Sequence, residues 1–171
     1  MSKKALLVIA PENFRDEELL HTKEELDKAG VETRIASTKT TEAKGMLGAK
    51  VTPDIRFDQV KVDDYDAVVF VGGSGSAVYF KDDRALSIAR EASKRGKKVC
   101  AICIAPVVLA NAGLLKGKRA TVFPGEYVKD IVNKGAAYTG KPVEADGNII
   151  TANGPAAARE FGRAIAKALK G

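Results

Sequence analysis

The chain has 171 residues, 45% of them hydrophobic and 29% charged, with a net charge of +6 and two cysteines. That balance fits one domain spanning residues 1–171 around one core and excludes a disordered chain. The longest apolar runs, such as Ala5–Pro11 and Ala67–Val71, fall far short of the ~20 residues that a membrane-spanning helix needs.

The basic start, Met-Ser-Lys-Lys, leads through an apolar stretch directly into acidic Glu12 and Asp16 with no cleavage-like segment. It reads as a first strand and not as a secretion signal, so the cytoplasm is the expected compartment. Two cysteines in such a chain point to thiol chemistry or to packing, not to a disulfide scaffold. With a single, distant histidine, His21, they argue against a structural zinc site. Neither a metal nor a cofactor is expected. Excess positive charge raises nucleic acid as a partner, but the charge is dispersed. Its one cluster, Lys94-Arg95-Gly96-Lys97-Lys98, falls at a helix end, where cations complement the dipole. No aromatic or groove-reading motif accompanies it, so nucleic acid is not the expected partner.

Along the chain, strand and helix signals alternate. Ala5–Ala10 is a continuous apolar run, as a strand covered on both faces requires. Glu17–Ala29 carries Leu19, Leu20 and Leu26 near helical spacing and stops at Gly30. Val31–Ser37 reads as a second strand and Met46–Val60 as an irregular or hairpin excursion. Tyr65–Val71 is a strand that ends in Gly72-Gly73. A helix over Ala85–Lys94 and a short strand over Val99–Ile102 precede a helix over Pro106–Asn111. A strand at Arg119–Phe123 and a helix at Glu126–Asn133 follow, while Tyr138–Thr139 is too short to classify alone. Val143–Glu144 and Asn148–Thr151 flank Asp146-Gly147, a hairpin signal, and Ala156–Leu169 is a terminal amphipathic helix. The alternation implies an α/β, mostly parallel sheet covered on both faces. Ligands of such sheets sit beyond the carboxyl ends of strands, which is where Gly73 and Cys103 fall.

Chemistry concentrates in Lys98–Pro106. A nucleophile elbow needs small residues two positions either side of the nucleophile, and Ala101 and Ala105 flank Cys103 in that way. Pro106 suits a first helical turn. A cysteine there meets free amides and the positive end of a helix dipole, which predicts a lowered thiol pKa; the same position also suits a small buried hydrophobe. Gly72-Gly73-Ser74-Gly75 lacks the last glycine of a dinucleotide loop, because Val78 stands there. Its backbone N–H groups could instead serve an anion or oxyanion. Asp16-Glu17-Glu18 complements a helix start, and one of these acids could point inward. The spacing Cys100-x-x-Cys103 also matches a dithiol pair, but Cys100 falls inside the strand.

Taken together and in order, several segments resemble the ThiJ/PfpI superfamily, which includes the Parkinson's-associated protein deglycase and archaeal intracellular peptidases. They are Phe14-Arg-Asp-Glu-Glu18-Leu, Tyr65–Gly73, Ala101-Ile-Cys-Ile-Ala-Pro106 and Asp146–Pro155. The resemblance covers essentially the whole chain. It implies a flavodoxin-like sandwich of the class I glutamine amidotransferase type, with Cys103 as a reactive thiolate. Glu18 matches the family's helix-borne acid, protonated and hydrogen-bonded to the sulfur, and the amides of Gly73 and Ile104 match an oxyanion site.

Homodimers or higher homo-oligomers, and a small aldehyde or glycated-protein substrate, are implied in the same way. Two departures stand out. Position 104 is Ile where peptidase-type members carry histidine, so a Cys–His proteolytic arrangement lacks its base. The segment Gly135–Thr139, where deglycase-type members often carry a histidine, holds Ala136 and Ala137. His21, one turn beyond Glu18, could substitute only by facing the pocket. The reading is a cysteine-dependent enzyme of small reactive carbonyls in the glyoxalase or deglycase manner; the alternative is a redox sensor or stress chaperone acting through Cys103 oxidation.

Overall fold

The computed structural model describes residues 2–171. In chain order the elements are β1 (Lys4–Val8), β2 (Glu12–Phe14), α1 (Asp16–Lys28), β3 (Glu32–Ser37), β4 (Ala43–Gly45), β5 (Lys50–Val51), β6 (Ile55–Arg56), β7 (Ala67–Phe70) and α2 (Asp83–Lys94). There follow β8 (Lys98–Ile102), α3 (Pro106–Asn111), β9 (Arg119–Ala120), α4 (Tyr127–Asn133), β10 (Ala137–Tyr138), β11 (Val143–Asp146), β12 (Ile149–Ala152) and α5 (Ala158–Lys170).

Seven strands form the central sheet in the order β11-β12-β8-β7-β1-β3-β6. All neighbours in it run parallel except β11 and β12, the hairpin turning at Asp146-Gly147. Side chains alternate across the sheet, as a period of two requires. From the first strand, Leu6 and Val8 enter one core with Leu86 and Ala89 of α2 and Leu109 of α3. Ala5 and Leu7 enter the other, with Leu19 and Leu26 of α1 and Phe161 and Ile165 of α5. The expected α/β sandwich with helices on both faces is therefore present. No helix among the described residues is long and apolar enough to cross a membrane.

Three local readings change. The excursion after β3 takes the hairpin form of the two expected, with added pairing: β4 and β5 pair antiparallel and join β2 in a small sheet, while β6 extends the main sheet. The strand expected over Arg119–Phe123 stops at Ala120, where β9 pairs with β10. Beyond it the backbone is held by β12 and the elbow instead: the Thr121 N–H donates to Thr151 Oγ1 at 2.9 Å, and the Phe123 N–H donates to the Cys103 carbonyl at 2.7 Å. The last helix begins at Ala158, after a 3₁₀ turn over Pro155–Ala157 that uses proline's fixed φ.

Candidate active site at the end of the central strand

β8 lies between β7 and β12, and the chain leaves its carboxyl end through a sharp turn at Cys103, whose φ is +66°. Non-glycine residues rarely adopt that conformation. Here it is over-determined: the Cys103 N–H donates to Ala152 O at 2.9 Å and its carbonyl accepts from Phe123. Ala101 and Ala105 are fully buried on either side, and Pro106 opens α3 as expected. The turn is the strained strand–helix elbow that the small flanking residues forecast.

Opposite the sulfur, α1 presents the stripe Glu18, Leu19, Thr22, Glu25 and Leu26 inward. Glu18 is 0% exposed and faces Cys103. The two side chains meet over Gly72, which makes room for both. A Cβ at Gly72 would lie 2.4 Å from Glu18 Oε1 and 2.5 Å from Cys103 Cβ. Next to it, Gly73 has φ +99° and passes so close to the backbone of Arg15 that a Cβ would fall 2.3 Å from the Arg15 nitrogen. The glycine pair thus closes the site by lacking side chains, and the N–H groups of Gly73 and Ile104 lie beside the sulfur, where they favour its charged form.

The charges of this pair do not follow the sequence reading. The Cys103 thiol is not lowered. Burial, then the negative charge of an ionised Glu18, push it up to about 12, against the pull of the two backbone N–H groups. The six residues of α3 supply a short dipole, and a cysteine only 8% exposed is too poorly solvated for that dipole to win. Burial likewise pushes the Glu18 carboxyl up to about 8, with weaker opposing effects from the Cys103 contact, Arg15 and the Gly72 amide. Among the described residues, no donor makes a well-formed hydrogen bond to either Glu18 oxygen. The Cys103 thiol and the Gly72 N–H stand beside it. The pair therefore gives up its protons in two coupled steps, and burial favours the protonated carboxyl near neutrality.

A family model described as DJ-1/PfpI family matches residues 3–168. The chain belongs to the DJ-1/PfpI family. An uncharacterized protein of Methanocaldococcus jannaschii is 43% identical over 98% of this chain and 82% of its own length. A protein of Pyrococcus furiosus named deglycase PfpI is 33% identical over 96% of this chain and 99% of its own. Among solved structures, the crystal structure of a ThiJ/PfpI domain protein from Brachyspira murdochii superposes with a TM-score of 0.96 at 32% identity. It covers 99% of this chain and 97% of that one.

Within this DJ-1/PfpI chain the sulfur lies at the floor of a pocket of about 240 Å³, lined by Arg15, Met46, Gly73, Ser74, Cys103, Ile104, Phe123, Tyr127 and Pro155. His21 is not among them. It lines a neighbouring groove with Glu17, Pro155, Ala156 and Arg159, so it does not stand in for the missing histidine. Gly135–Thr139 does not border the pocket either; Phe123 and Tyr127 form that wall.

Sequence reasoning missed Arg15, Met46 and Phe123 as lining residues, and it missed Asp16. The Asp16 carboxylate accepts from the Leu47 and Ala49 N–H groups, both at 2.8 Å, and so fixes the turn that carries Met46 to the pocket rim. The acidic run was legible only as a helix start. Its three members take three tasks: Asp16 holds the turn, Glu17 pairs with Arg15 and Glu18 meets the sulfur. Cys100 stays within β8, fully buried, and burial pushes its thiol upward with no counteracting N–H donor. Both thiols are free.

Proposed function

We propose that this protein is a cysteine-dependent enzyme of small reactive carbonyls, working in the glyoxalase or deglycase manner, with Cys103 as nucleophile and Glu18 as proton carrier. The observation that carries this reading is the unequal supply of donors to the pair. The sulfur has two backbone N–H groups beside it, those of Gly73 and Ile104, whereas the Glu18 carboxyl has one, that of Gly72. When the pair loses its first proton, the negative charge is better accommodated on sulfur, and the carboxyl keeps its own. The result is a thiolate beside a neutral acid, reached at a pH near the first ionisation and with no histidine needed.

Such a thiolate adds to the aldehyde carbon of a 1,2-dicarbonyl. A C–S bond forms, and the electron pair of the C=O bond moves onto oxygen, beside the N–H groups of Gly73 and Ile104 as an oxyanion site. Glu18 protonates that oxygen and, now a carboxylate, carries the proton of the former aldehyde carbon to the neighbouring carbon, while the hydroxyl proton on the first carbon passes to the former ketone oxygen. The isomerised adduct is a 2-hydroxy thioester, which water cleaves to a 2-hydroxy acid and the free thiol. The same addition could act on carbonyl adducts carried by proteins, in keeping with the deglycase name of the Pyrococcus furiosus relative. Methylglyoxal consumption by the wild type, absent in Cys103→Ser, is the expected result; equal turnover by both would refute the reading.

The same geometry favours one alternative. A neutral Glu18 without a partner would gain one in a sulfinate on Cys103, which suits a redox sensor. Mild peroxide should then add two oxygens selectively at Cys103, detected by intact mass and peptide mapping. Scattered or absent oxidation counts against sensing.

A further inference from the structure

Resting on Cys103 as the nucleophile, we infer that Arg15 makes the pocket selective for electrophiles that carry an anionic group, such as an aldehyde or 1,2-dicarbonyl bearing a carboxylate. Nine residues line the pocket, and Arg15 is the single formally charged one among them at neutral pH. The remaining side chains are apolar or uncharged: Met46, Ile104, Phe123, Tyr127 and Pro155, with the Cys103 thiol, Gly73 and Ser74. Glu18, behind the sulfur, holds its proton. A lone guanidinium on an otherwise apolar wall recognises a carboxylate, because planar N–H donors match its two oxygens.

Arg15 is also fixed in place. Its backbone N–H donates to Gly72 O at 3.0 Å, and its carbonyl accepts from the Glu18 N–H at 3.1 Å. The residue is thereby tied both to the glycine turn and to the helix that carries the acid. Its side chain is clamped by Glu17, with Nε donating to Oε1 at 2.9 Å and Nη2 to Oε2 at 3.1 Å. That clamp uses two of the five guanidinium N–H donors and orients the other three. Glu17, the carboxylate that pairs with Arg15, lines the adjoining groove and not this pocket. It acts as a positioning residue. An anion bound to Arg15 would therefore share the pocket with the thiolate without meeting a second negative side chain.

Paired alkylating reagents test this apart from any enzymatic activity. Iodoacetate and iodoacetamide react identically: the sulfur forms a bond to the CH₂ carbon as the C–I bond breaks and iodide leaves. They differ in charge and hardly in size. For Cys103 in the wild type, the iodoacetate-to-iodoacetamide rate ratio should exceed that of glutathione by about tenfold, the worth of one charge-assisted hydrogen bond. Arg15→Gln should return the ratio to within about twofold of glutathione, and Arg15→Lys should keep part of the preference.

The wild-type comparison needs no variant, so a folding defect in Arg15→Gln leaves the test intact. A wild-type ratio equal to that of glutathione, or one unchanged in Arg15→Gln, overturns the inference. A raised ratio in a protein that consumes no carbonyl upholds the anion subsite while the proposed reaction falls. A Cys103 inert to both reagents removes the nucleophile on which both depend.

Discussion

Cys100 and Cys103 are three residues apart on one segment, yet they occupy opposite chemical situations. Cys100 lies inside β8, paired in register with Val69 and Ile150, and is fully buried. Cys103 lies one residue past the end of that strand, in a left-handed turn, at the floor of a pocket and against an acid. Both thiols are pushed up by burial, but only Cys103 has backbone N–H groups pulling the other way. The difference teaches that position relative to the strand end decides reactivity. The elbow turns one sulfur out of the ladder toward donors, and the ladder seals the other away.

The sharpest way to break this contrast is to exchange each thiol in turn. Cys103→Ser should lower methylglyoxal turnover by on the order of 10³-fold or more, as loss of a nucleophile does. Cys100→Ala should change kcat/KM less than about threefold, since it removes no group that reaches the pocket. Comparable losses in the two variants would revive a dithiol mechanism and end the distinction drawn between them.

A second test sharpens the role of the acid. Burial pushes the Glu18 carboxyl from an ordinary 4.5 up to about 8, so between those values the folded pair keeps a proton that the unfolded chain has lost. Its contribution to stability is fully present below the unfolded value and is lost as pH rises through the folded one. Relative to Glu18→Gln, the wild type should lose roughly 4 kcal/mol between pH 5 and pH 9, read from denaturant unfolding. Parallel pH profiles for the two proteins would show that Glu18 is ionised in the fold at neutral pH.

A third test addresses the space the pair shares. Gly72→Ala places a methyl group against Glu18 Oε1, Cys103 Cβ and the Ile102 carbonyl, all within 2.6 Å. Forced overpacking of this kind should cost about 1–3 kcal/mol, measured by urea unfolding. An unchanged midpoint would mean that the site is looser than its geometry.

Much of this molecule was legible beforehand, for identifiable reasons. The central strands announced themselves because parallel strands covered on both faces are apolar throughout. The elbow was visible because Ala101, Ala105 and Pro106 are backbone requirements written locally. The pocket wall was not. Met46 reaches the site through a turn held by Asp16, and Phe123 through a bond to the carbonyl of Cys103; both are long-range pairings without any periodic trace. Arg15 was hidden among charges that suit any helix start. The thiol pKa went the other way from expectation because the sequence displays a helix start but not the depth at which the sulfur sits, nor the short length of that helix as a dipole.

The central claim is that the first negative charge of the Glu18–Cys103 pair rests on sulfur. Ultraviolet absorbance of the thiolate, followed against pH in the wild type with Cys103→Ser as the blank, reads this directly. The account predicts a thiolate signal that appears well below the range of a buried thiol beside an ionised carboxylate. A signal absent until pH approaches about 12 would place the charge on the carboxylate and contradict it.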